Sequence, residues 1–190
     1  MDNETGNRGI ACLAWGSLLW KPGPLPLASE WRLDGPWLPL EFARVSDGGE
    51  LSIVLCEQAP SAPSHWAYLK VDSLEEAREL LRQREQIDPR RQDWIGSLVL
   101  GEDDSAAHPL IAAWAETRGL AAVVWTALPP RFGEQEGRLP SAEEAIAYLD
   151  SLRGKDRDHA ESYVRQVPSA FRTPYREQIE RRLGWTPRPV

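Results

Sequence analysis

An α+β fold is predicted for this chain by the order in which its local patterns appear. Strand-like runs dominate the first half, whereas capping signals and helical periodicity fill the last third. The regular alternation of strand and helix that βαβ winding requires is missing, and no internal repeat is visible. A chain of 190 residues is long enough for one domain with a real core and too short for two comfortable ones. Residues 9–185 therefore read as a single domain, with 1–8 and 186–190 as flexible termini.

Gly9 and Gly16 bracket an apolar run that reads as a buried strand and breaks at Gly16-Ser17. A glycine lets backbone approach a ligand closely, so the amides of Gly16, Ser17, Leu18 and Leu19 can face a cleft as donors, with the Ser17 hydroxyl beside them. On its own the Gly-Ser pair describes an ordinary tight turn, and it is the flanking residues that shift the balance. Three prolines make Lys21 to Pro26 a stiff extended loop, expected to hold Trp20 in place. Asp47-Gly48-Gly49 joins two β-prone runs, 38–46 and 50–56, as a hairpin. After a Pro/Ser-rich loop, 65–71 reads as another strand.

Asp72-Ser73 offers an N-cap for a helix from Leu74 to about Ile87, stopped by Asp88-Pro89. A short strand at 94–100, an amphipathic helix at about 107–117 and an apolar strand at 120–128 follow, the last ended by Pro129-Pro130. Ser141-Ala-Glu-Glu144 is a capping-box start for a helix to about Leu152, 156–166 reads as another, and Thr173-Pro174 opens a final helix closed by Gly184.

Composition narrows the function classes. Lys and Arg total 22 against 29 Asp and Glu, so the long-range field repels phosphate backbones and anionic lipid, and neither nucleic acid nor a membrane surface is an expected partner. Nowhere do eighteen apolar residues run together, and the acidic start Met1-Asp2-Asn3-Glu4, followed by no unbroken apolar stretch, is not expected to be a signal peptide. Cys12 and Cys56 lie in apolar stretches without metal or redox spacing and read as buried hydrophobes in a reducing, cytoplasmic compartment. Nine tryptophans are the compositional oddity, most of them expected in the core. A serine hydrolase would need Ser17 or Ser97 in a Gly-x-Ser-x-Gly elbow, which is absent. His65, His108 and His159 are scattered without metal-ligand spacing, so no metal is expected.

One helix breaks its own pattern. At ~100° per residue, Leu74, Ala77, Leu80, Leu81 and Ile87 share one arc of the 74–88 segment, yet Arg84 and Glu85 fall inside it. An inward-facing charged pair is costly unless it is paired or working. Three outcomes are open: the helix frays so that both reach solvent, both pair with polar groups of the core, or Glu85 faces a cleft. In the last case the helix C-terminus and desolvation raise its pKa toward a general base's range.

Trp15-Gly-Ser-Leu-Leu-Trp20 with its Pro-Gly-Pro loop, the Arg44-Val-Ser-Asp-Gly-Gly49 hairpin and Leu81-Arg-Gln-Arg-Glu85 together resemble the γ-glutamylcyclotransferase-like family, especially its ChaC-type branch. The resemblance covers roughly residues 10 to 90; the carboxy-terminal half matches only in general character. It implies a small mixed β-barrel with surrounding helices, and a reaction in which the α-amine of a γ-glutamyl group attacks its own side-chain carbonyl, closing 5-oxoproline and expelling an amine or amino acid. It further implies that Trp15, Gly16, Ser17, Leu18 and Leu19 cradle the γ-glutamyl moiety and that Glu85 is the general base, with a small-molecule substrate and no cofactor. The family's turn usually begins with tyrosine, where this chain has Trp15, so a phenol is missing that Tyr148 or Tyr163 would have to supply. The alternative is a non-catalytic module of the same kind that binds a small molecule or a protein partner, with Glu85 structural.

Overall fold

Alternation and caps set most of the elements of the computed structural model, which describes residues 9–102 and 107–189. Nine strands form two sheets and five α-helices accompany them among these residues, an α+β arrangement in which one sheet curls into a half-barrel. The expected disorder of 1–8 lies outside the described residues. The chain clusters into two compact units: the first takes residues up to Leu13 with Gly23–Pro36 and His65–Thr126, and the second takes Ala14–Pro22, Trp37–Ser64 and the chain from Ala127 onward.

The first unit is built on a four-stranded sheet. The strands are β1 (Ile10–Ala14), β5 (His65–Tyr68), β6 (Ile95–Val99) and β7 (Ala122–Thr126), in the order β5-β1-β7-β6. β1 pairs β7 in parallel, with Ala11 opposite Val123, and β6 runs antiparallel to β7. Ala11, Cys12, Leu13, Val123 and Val124 are almost wholly buried, which explains why both strands read as unbroken apolar runs rather than alternating ones. Helix α1 (Leu74–Glu85) packs on β7 and β6, and α2 (Pro109–Thr117) on β7. Ser73 caps α1 by accepting from the Glu76 amide. The helix ends two residues earlier than the pattern predicts, because Gln86 turns left-handed at φ 55° and Ile87 bonds back to the Arg82 carbonyl. Trp66 is fully buried and its indole N–H donates to Asp34 at 2.8 Å; that bond is the main reason the Asp34 carboxyl lies below the usual carboxylate range.

In the second unit β2 (Trp37–Val45) and β3 (Leu51–Leu55) form the expected hairpin, with a bulge between Phe42 and Arg44. Three strands there were not expected. β4 (Ser61–Pro63) lies in the Pro/Ser-rich stretch and pairs with the start of β2, while β8 (Arg131–Phe132) and β9 (Gln135–Glu136) form a small hairpin beyond the two prolines. Helices α3 (Ala142–Ser151), α4 (Gly154–Gln166) and α5 (Pro174–Leu183) complete the unit. Ser141 and Glu144 make the expected capping box, and Gly184 closes α5. Past α5, the Arg188 amide donates to the Arg165 carbonyl at 2.7 Å.

The tryptophans depart from expectation. Trp66, Trp125 and Trp185 are buried, whereas Trp37 is 62% exposed and the other five are half-buried. Indoles of that size cover apolar surface without being swallowed by it. No helix among the described residues is long and apolar enough to cross a membrane.

Candidate active site

At the end of β1 the backbone turns at Trp15, still extended with φ −155°, and enters a single 3-10 turn at Gly16–Leu19. Gly16 takes φ 76°, a left-handed conformation that favours glycine. A second constraint acts on the same atom. A β-carbon at Gly16 would collide with the Tyr163 hydroxyl and stand 3.3 Å from its Cζ, so the phenol rests directly on the turn. Tyr163 is 6% exposed, accepts from the Ile53 amide at 3.2 Å and packs edge-to-face on Trp20 with ring centroids 5.4 Å apart. Within the turn, the Ser17 carbonyl accepts from the amides of Trp20 and Lys21, at 3.3 and 2.9 Å. Gly16 and Leu18 are buried and Trp15, Ser17 and Leu19 half-buried. Ala160, Tyr163, Val164 and Val167 lie at helical spacing and all are buried, so the apolar stripe of α4 was the signal that selects Tyr163 over Tyr148. The Tyr148 hydroxyl instead donates to the Gly49 carbonyl at 2.6 Å.

Glu85 stands in the last turn of α1, in the first unit. The helix does not fray before it: the side chains of Arg84 and Glu85 are only 11% and 15% exposed. Arg84 Nη1 donates to Glu85 Oε1 at 3.1 Å, and Thr126 Oγ1, at the end of β7, donates to the same oxygen at 3.2 Å. Thr126 carries no sequence signal for this role; only the β7 register places it there. Gly23 of the Pro-Gly-Pro loop lies against Arg84, where a β-carbon would come within 3.0 Å of Cγ. That loop therefore lies on the Arg84 side chain, and Tyr163 packs on Trp20. The Cys12 thiol on β1 has its pKa raised, by burial first and by the neighbouring Glu85 carboxylate second, which makes it a poor nucleophile.

Chemically, the pieces are a fixed carboxylate with a countercharge and a hydroxyl donor, and a glycine turn with an aromatic wall and a phenol. No group of three His, Cys, Asp or Glu among the described residues is arranged to hold a metal ion. No family model, curated protein or solved structure matches the chain.

Proposed function

We propose that the protein is a γ-glutamylcyclotransferase-like enzyme of the ChaC type, converting a γ-glutamyl group to 5-oxoproline with release of an amine or amino acid. The observation that carries the reading is Glu85: a carboxylate set with Arg84 inside an apolar helix stripe, one of its oxygens accepting from Arg84 and Thr126. A carboxylate fixed in this way is poised for proton transfer, since its rotamer is already selected. In the reaction the neutral α-amine attacks the γ-carbonyl, forming the ring C–N bond. Glu85 takes the proton that the attacking nitrogen sheds. The tetrahedral intermediate then collapses, the bond to the leaving nitrogen breaks, and the same proton passes to that nitrogen.

Ring closure needs mainly positioning and charge stabilisation. The turn at Gly16, Ser17, Leu18 and Leu19 supplies the donors for the developing oxyanion and Trp15 an aromatic wall. Tyr163 supports the reading in one further respect, because it brings a phenol to the turn whose first residue, Trp15, has none. The turn belongs to the second unit and Glu85 to the first; the reading assigns both to one substrate on the strength of the sequence resemblance. The α+β architecture with a curled sheet is compatible with the small mixed β-barrel of that family. Residence in a reducing cytoplasm is part of the proposal, in keeping with two free, buried cysteines.

A second reading draws on the same Arg84–Glu85 contact. An ion pair this well enclosed also suits a purely structural role, in a non-catalytic module that binds a small molecule or a protein. Incubation with γ-glutamyl amino acids, γ-glutamylamines and glutathione, with 5-oxoproline measured by mass spectrometry, separates the two. Product from at least one substrate class is expected; no product from any of them rejects the enzymatic reading.

A further inference from the structure

Within the second unit, the turn that ends β2 and the β8–β9 hairpin border a cavity of about 450 Å³, closed on one side by α3. Its walls are Val45, Ser46, Asp47, Arg131, Phe132 and Tyr148, with the tip of the hairpin at Gly133 and Glu134. That volume lies within the range of small-molecule sites, and the mixture of aromatic surface with a few polar groups is their usual lining. Phe132 and Tyr148 meet edge-to-face, with centroids 6.1 Å apart. Tyr148 is anchored by its bond to the Gly49 carbonyl, so the aromatic wall is preformed.

The polar groups favour one sign of charge. Arg131 donates to Asp47 at 2.8 Å and stands 3.6 Å from Glu136, which also takes Arg44 at 2.6 Å. Arg138 lies over the Phe132 ring and is paired with Glu144. These arginines are thus already matched, while Glu134 at the hairpin tip adds negative charge, and Glu50 beside the turn is paired with His159. An anionic ligand would compete with these carboxylates, whereas a cation would join them. The Asp47 side chain is 98% exposed, so a ligand can reach it beside its contact with Arg131.

We propose that this cavity binds a small organic amine with an apolar body, its ammonium received by Asp47 and its body lying on Phe132 and Tyr148. Aromatic faces add cation–π attraction for such a group. The site is independent of Glu85 and of the reaction proposed above.

Benzylamine, benzyl alcohol and benzoate test it, since they share a ring and differ in charge. Each is titrated into the full chain at low ionic strength and followed by ligand-observed NMR and calorimetry. Benzylamine is expected to bind saturably with a Kd of about 1 mM, benzyl alcohol more weakly and benzoate least. Asp47→Asn is expected to weaken benzylamine about threefold and leave benzyl alcohol unchanged, as fits one exposed charge. Phe132→Ala is expected to weaken both. The proposal is overturned if benzoate binds as well as benzylamine, if nothing binds saturably, or if Asp47→Asn leaves benzylamine affinity unchanged. Asp47 is almost fully exposed, so this last result is readable even if Phe132→Ala does not fold.

Discussion

Replacing Gly16 by alanine tests whether the turn is held in its shape by the phenol above it. Two costs are expected. The left-handed backbone at φ 76° costs a residue with a β-carbon about 1 to 2 kcal/mol. The new methyl also collides with the Tyr163 hydroxyl in a buried, well-packed place, and overpacking of this kind costs about 1 to 3 kcal/mol. Gly16→Ala should therefore destabilise the protein by about 2 to 5 kcal/mol. Tyr163→Phe removes the colliding oxygen and leaves Cζ at 3.3 Å, a close contact that the ring must yield to slightly, at its own cost of about 1 to 3 kcal/mol for the orphaned Ile53 amide. In that background the backbone cost of Gly16→Ala remains, with only a small remainder of the packing cost. The two substitutions should then be coupled by about 1 to 3 kcal/mol, the double variant being more stable than the sum of the singles predicts. Urea unfolding of the four proteins measures this cycle. Equal costs of Gly16→Ala in both backgrounds would refute the packing of Tyr163 on the turn.

Other consequences concern charge and burial. Arg84→Met leaves the enclosed Glu85 carboxylate without its countercharge and should cost about 3 to 5 kcal/mol in urea unfolding, whereas an exposed pair would lose under about 1. Glu41 is 2% exposed; it accepts from Thr173 Oγ1 at 2.6 Å, from the Phe42 amide at 2.9 Å and from the Tyr175 amide at 3.3 Å, while burial pushes its pKa above 4.5. The native state therefore holds this proton more tightly than the unfolded chain, so its contribution is fully present below 4.5 and is lost as pH rises through the raised value. Glu41→Gln should be less stable than wild type near pH 4.5, with the gap narrowing as pH increases; a widening gap contradicts the sign. Cys12 should resist a thiol reagent in the native protein and react at the rate of global unfolding, and rapid native labelling at Cys12 would deny its burial.

The parts of the fold legible in the sequence are those set by local chemistry. Ser73, the Ser141–Glu144 box, Gly184 and the Asp47-Gly48-Gly49 turn fix their elements through neighbouring groups, and each is found where its residues stand. What was not legible depends on distant partners. β4 contains Pro63, which argues against a strand, yet it serves at one end of β2 where only Trp37 to Pro39 are its partners. β8 and β9, of two residues each, have no periodicity to detect. The parallel pairing of β1 with β7 joins segments over a hundred residues apart and has no local signature. Arg176, fully buried in α5, looks like any helix-surface arginine until its bonds to the Val167 carbonyl and Glu180 are seen. At the site, the wheel placed Glu85 inward correctly and the apolar stripe of α4 marked Tyr163 as buried, but the partner Thr126 and the contact of Tyr163 with the turn came only from tertiary structure.

The central claim is that Glu85 moves a proton in the release of 5-oxoproline, and side-by-side turnover of wild type and Glu85→Gln tests it most directly. Glutamine keeps an oxygen for Arg84 and Thr126 but leaves the enclosed Arg84 guanidinium without its carboxylate, so the urea midpoint should fall, and turnover is compared under conditions where the variant is still folded. The account predicts 5-oxoproline from wild type with at least one γ-glutamyl substrate and a rate lower by about 100-fold or more in the folded variant. Turnover retained in Glu85→Gln, or none in either protein, would contradict it.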